Sequence, residues 1–316
     1  MINRRLIRIK VFKVLYSMVA SGSDSLPEAE KSLKYSCEKT LHLYYFILNA
    51  AVALRNAAAA RIETGLKKFN PTPEERNPNR KFAQNMVSSY LDQDAAFGKF
   101  CEEHGLVWTE ELAVLIKKML SSLMERDYFK EYMNDAECSL AQDCDLFIKI
   151  FSDEELFEDN EDLESCLEDM SLFWLDDLGY VLGVIVRNLE HLRSRGTMPR
   201  PDVFLKDDDR EFAYKLLESA VTGYKRYMDI VVSNTSNWDP DRVVTTDLVL
   251  IVQGIAEAVR FPNIPLKVTI NEYVDISKFY STRNSKVFVN GLLDRILKKM
   301  MDCGEVVKTG RGLIEN

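Results

Sequence analysis

The sequence lacks the residue groupings on which most catalytic and metal sites are built. Its six cysteines form no C-x-x-C pair and do not cluster with the three histidines, so no zinc motif is present and reduced, mostly buried thiols are expected. It also has no G-x-x-x-x-G-K-[ST] or G-x-G-x-x-G loop, no G-x-S-x-G and no H-E-x-x-H. We therefore predict that the protein is not an enzyme and uses no metal, cofactor or small-molecule substrate.

Long apolar runs are missing as well. The longest ones, residues 43–54 and 178–186, are too short to span a bilayer, which takes about 20 apolar residues. The composition, with 46% hydrophobic and 29% charged residues, is typical of a soluble globular protein. We predict a cytoplasmic protein that makes no membrane contact. The alternative is that the acid-free, arginine-containing start is a mitochondrial presequence or a membrane-surface helix.

Basic residues are absent from one long stretch and concentrated in two others. Residues 150–186 contain no Lys or Arg, and residues 153–177 hold twelve acidic residues. In contrast, five basic residues precede the first acidic one, Asp24, and residues 260–311 hold ten basic residues against five acidic ones. The acidic segment repels phosphates, so we expect it to contact a basic protein partner rather than a nucleic acid.

No stretch alternates apolar and polar residues over its length as a half-buried strand does. Helical spacing predicts a first helix over residues 2–20 and a long second helix over residues 27–68. Local propensity favours a strand over residues 242–253 (RVVTTDLVLIVQ), but the spacing of Leu248, Val252 and Ile255 predicts a helix there. The predicted fold class is therefore all-α.

Residues 261–295 predict two helices joined by a polar corner. Pro262 and Pro265 stop the preceding element and can open a helix, and the small polar residues 281–285 can cap a second one. Gly291 inside this second helix costs about 1 kcal/mol relative to alanine and predicts the close approach of another helix. The corner carries basic and aromatic side chains. This combination binds single-stranded RNA, because cations contact phosphates and rings stack on unpaired bases.

Three blocks in this stretch resemble the NusB family of bacterial transcription antitermination factors. They are I-P-x-K-V-x-I-N-E at residues 264–272, K-F at residues 278–279 and S-K-x-F-V-N-G-x-L-D at residues 285–294. The first helix, RRLIRIKVFKVLYSMVAS at residues 4–21, is similar to the arginine-rich opening helix of that family. The resemblance covers well under half of the chain.

The resemblance implies a helical bundle that pairs with the ribosomal protein NusE and binds boxA, a short single-stranded RNA element. Its implied setting is the RNA polymerase antitermination complex, notably on ribosomal RNA operons. It also supports a helix over residues 242–253. The predicted RNA-binding residues are Arg4, Arg5, Arg8, Tyr16, Lys278, Phe279, Tyr280, Arg283, Asn284 and Lys286. The residues of the structural signature are Pro265, Asn271, Glu272, Phe288, Asn290, Gly291 and Asp294.

Some of these residues carry more specific expectations. Arg4 and Arg8 lie one helical turn apart and should project together. Phe288 is expected to pack in the core, whereas for Phe279 core packing and base stacking both stay open. Asn290 and Asp294 are expected to bond neighbouring backbone groups where helices meet.

For the domain organisation we predict a NusB-like core made of residues 1–35 and 205–302. Residues 36–204 form an inserted α-helical region with the acidic segment 150–186, and residues 303–316 a flexible tail. A degenerate duplicate of the core is the alternative for the inserted region. Two alternatives stand beside RNA binding in antitermination. One is a helical adaptor of the transcription or ribosome-assembly machinery that does not touch RNA. The other is an enzyme, since related helical domains precede RNA cytosine methyltransferases, although no cofactor-binding α/β half follows here.

Overall fold

The structure, a computed structural model, describes residues 1–235 and 244–313. Fourteen α-helices and no β-strand lie in these residues, which confirms the all-α prediction. In chain order the helices are α1 (Arg4–Ser21), α2 (Leu26–Leu66), α3 (Pro73–Arg76), α4 (Met86–Gln93), α5 (Ala95–Glu103), α6 (Ala113–Glu125), α7 (Asp127–Asn134), α8 (Leu140–Phe151), α9 (Glu161–Met170), α10 (Leu178–Arg195), α11 (Asp207–Asn234), α12 (Thr245–Arg260), α13 (Leu266–Tyr280) and α14 (Ser285–Asp302).

The chain divides into two compact units. Unit 1 consists of Met1–Cys37 and Phe204–Asn316, and unit 2 consists of Glu38–Val203. Unit 1 is thus built from two separate parts of the chain, and α2 contributes residues to both units. An isolated parallel bridge between Ile2 and Phe204 joins the two parts of unit 1 where the chain re-enters it.

Unit 1 is organised around α12. This helix is in contact with α1, α11, α13 and α14, and the ten residues Val249–Ala258 are all buried. A helix that is apolar on all sides belongs in the interior. This explains why residues 242–253 have strand-like composition and still form a helix from Thr245 onward. Residues 242 and 243 lie outside the described residues.

The close helix approach in unit 1 occurs at Gly254 of α12 and not at Gly291 of α14. A Cβ atom at Gly254 would lie 2.9 Å from Leu293 Cδ2 and 3.2 Å from Tyr273 Cδ2, whereas one at Gly291 would meet nothing within 4 Å. Gly291 lies on the exposed face of α14. The prediction for Gly291 is therefore wrong, because helical spacing alone does not tell which face of α14 meets its neighbours.

The described part of the C-terminal segment packs against unit 1. Val306 is buried in its core, and the buried Lys308 ammonium donates to the carbonyls of Ala258 at 2.9 Å and Phe261 at 3.1 Å. The Thr309 amide donates to the Pro262 carbonyl at 3.0 Å. The prediction that residues 303–316 form a flexible tail is thus wrong for residues 303–313. The prediction was based on the polar composition of this segment, which does not show that Lys308 caps the carbonyl end of α12.

Unit 2 is a second helical body in which α8 packs against α10. The acidic segment belongs to it. Four apolar residues of this segment, Leu156, Phe157, Leu163 and Leu167, are at most 1% exposed, while the carboxylates between them face solvent. Among the described residues no helix combines the length and apolar character that a membrane crossing requires.

Candidate nucleic-acid interface

The first helix begins at a well-formed cap and carries three predicted RNA ligands, Arg4, Arg5 and Arg8. Asn3 caps α1, since its side chain accepts a hydrogen bond from the Leu6 amide at 3.0 Å. Arg4 and Arg8 do project together, but onto the Phe212 ring of α11, with guanidinium carbons 4.9 and 5.3 Å from its centroid. Both guanidinium groups therefore pack against α11, Arg8 in the interior and Arg4 at the surface, where its side chain is 40% exposed.

Arg8 is a structural residue. Its side chain is 5% exposed, and its guanidinium donates to both carboxylate oxygens of Glu257 on α12, at 2.7 and 2.9 Å. Two neutral donors complete the site, Thr269 Oγ1 at 2.9 Å and Tyr273 OH at 3.0 Å. The prediction that Arg8 binds RNA is corrected, because a guanidinium held by two hydrogen bonds in the interior cannot reach a phosphate.

The electrostatics of this network follow from its burial. Burial alone would lower the pKa of Arg8, but the adjacent Glu257 carboxylate raises it above its ordinary value. Burial and the same carboxylate both raise the pKa of Tyr273. Arg8 and Glu257 thus form a buried ion pair, with Tyr273 held as a neutral donor, and this pair connects α1 to α12 and α13.

The other two arginines are ion-paired at the surface. Arg4 contacts Asp208 at 2.7 Å and Asp209 at 3.0 Å at the start of α11, which offsets much of its charge. Arg5 is more exposed, at 44%, and has a longer contact of 3.4 Å to Asp275 of α13. Lys278 binds the other oxygen of Asp275 at 2.6 Å, and these two cations lower the pKa of that carboxyl group. Arg5 and Lys278 therefore meet at one carboxylate.

The corner between α13 and α14 presents the remaining predicted ligands to solvent. The Phe279 ring is 77% exposed, and Arg283, Asn284 and Lys286 are exposed as well. Tyr280 is half-buried, with its ring 5.6 Å from that of Phe12 and below the Lys13 ammonium at 5.4 Å. Phe279 therefore lies outside the core, at a corner where Arg283 and Lys286 are exposed as well.

Phe12 links this corner to α1. Its ring lies 6.2 Å from that of Tyr16, which is 38% exposed, and 5.6 Å from that of Tyr280. The structure thus brings most of the predicted residues onto one side of unit 1 and leaves out Arg4 and Arg8. We call this set the corner surface. It consists of Arg5, Tyr16, Lys278, Phe279, Tyr280, Arg283, Asn284 and Lys286.

Sequence reasoning missed two kinds of residue at this surface. Lys13 adds a cation over the Tyr280 ring, and its position three residues before Tyr16 on the same helix was an available signal. Asp247 and Ser285 form a buried hydrogen bond beneath the corner, and no local pattern marks it because 38 residues separate them.

The signature residues divide between the core and an exposed face. Pro265 precedes α13 as its N-cap, Phe288 is buried, and Glu272 lies 3.5 Å from Arg8. Asn271, Asn290, Gly291 and Asp294 are on the outside, and the backbone contacts expected of Asn290 and Asp294 are not made. Asp294 binds Lys298 at 2.8 Å, and Asn290 is exposed. Together with Asn271 they line a groove of about 770 Å³ between α13, α14 and the C-terminal segment.

The described residues contain no cluster of three or more His, Cys, Asp or Glu side chains suited to a metal ion. The side chains of the corner surface carry cations, an amide, phenols and a phenyl ring.

The family model and the similar proteins that match this chain both point to NusB. The family model "NusB family" matches residues 200–298. The chain is similar to the transcription antitermination proteins NusB of Salinibacter ruber (36% identity over 105 residues), Chloroherpeton thalassium (32% over 122) and Thermodesulfovibrio yellowstonii (37% over 92). No solved structure matches the chain significantly.

These alignments are partial on both sides. They cover 33%, 39% and 29% of this chain and 66%, 57% and 61% of the three relatives, so the chain spans somewhat less than two thirds of the proteins that it matches. The family match contains α11 to α13 and nearly all of α14, which carry the corner and, in Glu257, Thr269 and Tyr273, all of the Glu257 network except Arg8. Residues 200–298 of this chain therefore form a NusB-family domain.

Proposed function

We propose that the protein is a transcription antitermination factor and that its corner surface binds boxA-like single-stranded RNA. The three relatives are named transcription antitermination proteins, and the family domain of this chain carries the corner of that surface. Binding would occur together with ribosomal protein NusE, within the RNA polymerase antitermination complex during ribosomal RNA transcription. This places the proposed activity in the cytoplasm, with no catalytic step.

The observation that carries this proposal is the exposure of Phe279 among cations. A phenylalanine that is 77% exposed loses the free energy of burial, about 1.5–3 kcal/mol for such a side chain. Its neighbours Lys278, Arg283 and Lys286 supply charges for phosphates. An exposed ring flanked by cations is the arrangement that single-strand binding requires, because every base offers a face for stacking.

The test is a fluorescence-anisotropy titration of the full chain with a labelled boxA-like RNA at two salt concentrations. Phe279→Ala should weaken binding by about 1–3 kcal/mol, or roughly 5- to 150-fold, since it removes one base stack. Arg5→Ala should reduce the slope of log K against log salt by about 0.7, the value for one phosphate contact on a single strand.

Phe69→Ala is the matched control. Phe69 is 98% exposed in unit 2 and its ring is as accessible as that of Phe279, so its loss should leave RNA affinity unchanged. Equal effects of both phenylalanine substitutions would point to nonspecific ring contacts. Absence of RNA binding by the unaltered protein would favour the adaptor alternative, in which the same surface contacts only protein.

The proposed NusE partnership has its own test. If NusE and RNA bind the same assembly cooperatively, NusE must raise RNA affinity by the same factor by which RNA raises NusE affinity. Calorimetric titrations in both orders measure the two factors. If both factors equal one while each ligand still binds, the proposal of RNA binding stands and that of cooperative binding with NusE is refuted.

A further inference from the structure

A buried carboxylate lies beneath the corner. Asp247, in the first turn of α12, is 3% exposed, and its Oδ2 accepts a hydrogen bond of 2.7 Å from the hydroxyl of Ser285. Ser285 is the first residue of α14 and is 1% exposed. The contact therefore joins the N-terminal ends of α12 and α14, where the positive ends of two helix dipoles favour a negative charge.

Ser285 passes this contact on to the loop between α13 and α14. Its Oγ accepts from the Thr282 amide at 3.1 Å and lies 2.8 Å from Thr282 Oγ1 and 2.9 Å from Ser281 Oγ. Ser281 Oγ in turn lies 2.9 Å from Thr246 Oγ1 on α12. The loop is thus tied to α12 at both ends through hydroxyl groups, and we call Asp247 with Ser285 the corner clasp.

The clasp does not contribute to the exposed corner surface. Burial of a carboxylate is costly unless it is well bonded, and within the described residues only one oxygen of Asp247 has a hydrogen-bond partner. What the clasp does is fix the backbone of residues 281–285. Arg283 and Asn284 lie within this loop and Lys286 follows it directly, so the clasp determines where three of the ligands of the corner surface stand.

We propose that Asp247 and Ser285 are positioning residues for RNA binding, which hold the corner loop in its binding conformation before RNA arrives. The inference rests on the proposed RNA-binding function. Without the clasp the loop samples other conformations, and RNA must order it on binding. Ordering a loop costs conformational entropy, so affinity falls although no contact with RNA has been removed.

The test compares Ser285→Ala, Asp247→Ala and Asp247→Asn in the full chain, with boxA-like RNA as the probe and at a temperature where all variants remain folded. Both alanine variants should bind RNA at least tenfold more weakly. Asp247→Asn keeps an oxygen that accepts the Ser285 hydroxyl, so it should retain affinity within about threefold of the unaltered protein. Both substitutions of Asp247 remove its negative charge, which would by itself strengthen RNA binding, but only asparagine keeps the hydrogen bond to Ser285. A difference between the two variants therefore reports the hydrogen bond and not the charge.

Ile296→Val is the control for a purely structural effect. Ile296 is fully buried three turns further along α14, so its shortening lowers stability without touching the corner. It should leave RNA affinity unchanged while lowering the melting temperature. If Ile296→Val weakens RNA binding as much as Ser285→Ala does, affinity follows general stability and the positioning role is overturned.

Hydrogen exchange provides a readout that needs no RNA. The Thr282 amide is protected by Ser285 Oγ, so Ser285→Ala should speed its exchange at least tenfold while amides in the middle of α12 stay unchanged. Unchanged exchange at Thr282, or unchanged RNA affinity in both alanine variants, overturns the inference and leaves RNA binding intact. If the unaltered protein binds no RNA, the proposed function fails, and with it the positioning role.

Discussion

The sharpest test of the structure compares Arg8 with Arg5. Both lie on α1, but Arg8 is assigned to a buried ion pair and Arg5 to the corner surface. Arg8→Ala removes a guanidinium that is 5% exposed. Among the described residues it leaves the fully buried Glu257 with only the Thr269 and Tyr273 hydroxyl donors. Removal of one partner from a buried ion pair costs about 3–5 kcal/mol, because an uncompensated charge remains in the interior. We expect a loss of stability of that size.

The size of the effect can be expressed as a melting temperature. For a unit of 150–250 residues, 1 kcal/mol corresponds to a shift of about 2–4 °C. Arg8→Ala should therefore lower the transition of unit 1 by about 6–20 °C, measured by circular dichroism and supported by urea denaturation. Arg5→Ala breaks only an exposed pair, which is worth about 0–1 kcal/mol, and should shift the transition by at most a few degrees.

RNA binding should show the reverse order. At a temperature where both variants are folded, Arg5→Ala should weaken RNA binding and reduce its salt slope, whereas Arg8→Ala should change neither. A double variant, Arg8→Met with Glu257→Met, should recover most of the lost stability, since replacing both members of a buried pair by apolar residues is often neutral.

Two results would refute this reasoning. If Arg8→Ala has the same melting temperature as the unaltered protein, the ion pair with Glu257 does not exist in solution as described. If Arg8→Ala stays folded and flattens the salt slope as Arg5→Ala does, then Arg8 contacts phosphate and belongs to the corner surface.

Three further predictions follow from other features. Gly254→Val should destabilise unit 1 by about 1–3 kcal/mol through overpacking against Leu293, whereas Gly291→Ala on the exposed face of α14 should stabilise it by about 0.5–1 kcal/mol; urea titrations that rank them the other way would contradict the packing at α12. Burial lowers the pKa of Lys308 from 10.5 to about 8. Between pH 8 and 10.5 the unfolded chain therefore binds more protons, so the unaltered protein should gain stability relative to Lys308→Met as pH rises, and parallel curves would refute this. Neutralising four exposed carboxylates of the acidic segment should slow association with NusE in stopped-flow and make it less salt-dependent, with RNA affinity unchanged; an unaltered rate would make the segment a solubilising surface. The four are Glu154, Glu155, Glu158 and Asp159.

Helical periodicity in the sequence was enough to predict the fold class, because the apolar spacing that defines each helix is local. Residues 242–253 show where composition alone fails to predict secondary structure. Its β-branched residues favour a strand in isolation, and burial on every side of α12 overrides that preference. Gly291 was misplaced because helical spacing does not tell which face of α14 meets its neighbours. Lys308 was missed because its carbonyl partners, Ala258 and Phe261, lie 50 and 47 residues away.

The grouping of Lys278, Phe279 and Arg283 at one exposed corner was predictable, because these residues lie close together in the sequence. Their role in RNA binding stays a prediction. Arg8 was assigned incorrectly because its partner Glu257 lies 249 residues away. One signal did exist. Arg8 stands three residues before Val11 and seven before Leu15, in line with the apolar stripe of α1, and an arginine in such a stripe is more consistent with a buried pair than with a free cation.

The division of unit 1 into two separate parts of the chain has a consequence for biosynthesis. Arg8 and Glu257 can meet only after 249 further residues have been made, which takes about 10–50 s at 5–20 residues per second. Closing a loop of that length costs about 3 kcal/mol more than closing one of ten residues. Unit 2, which is continuous from Glu38 to Val203, can complete its core in that interval. Helix α1 is made before the other helices of unit 1 and is therefore among the last of them to complete its packing.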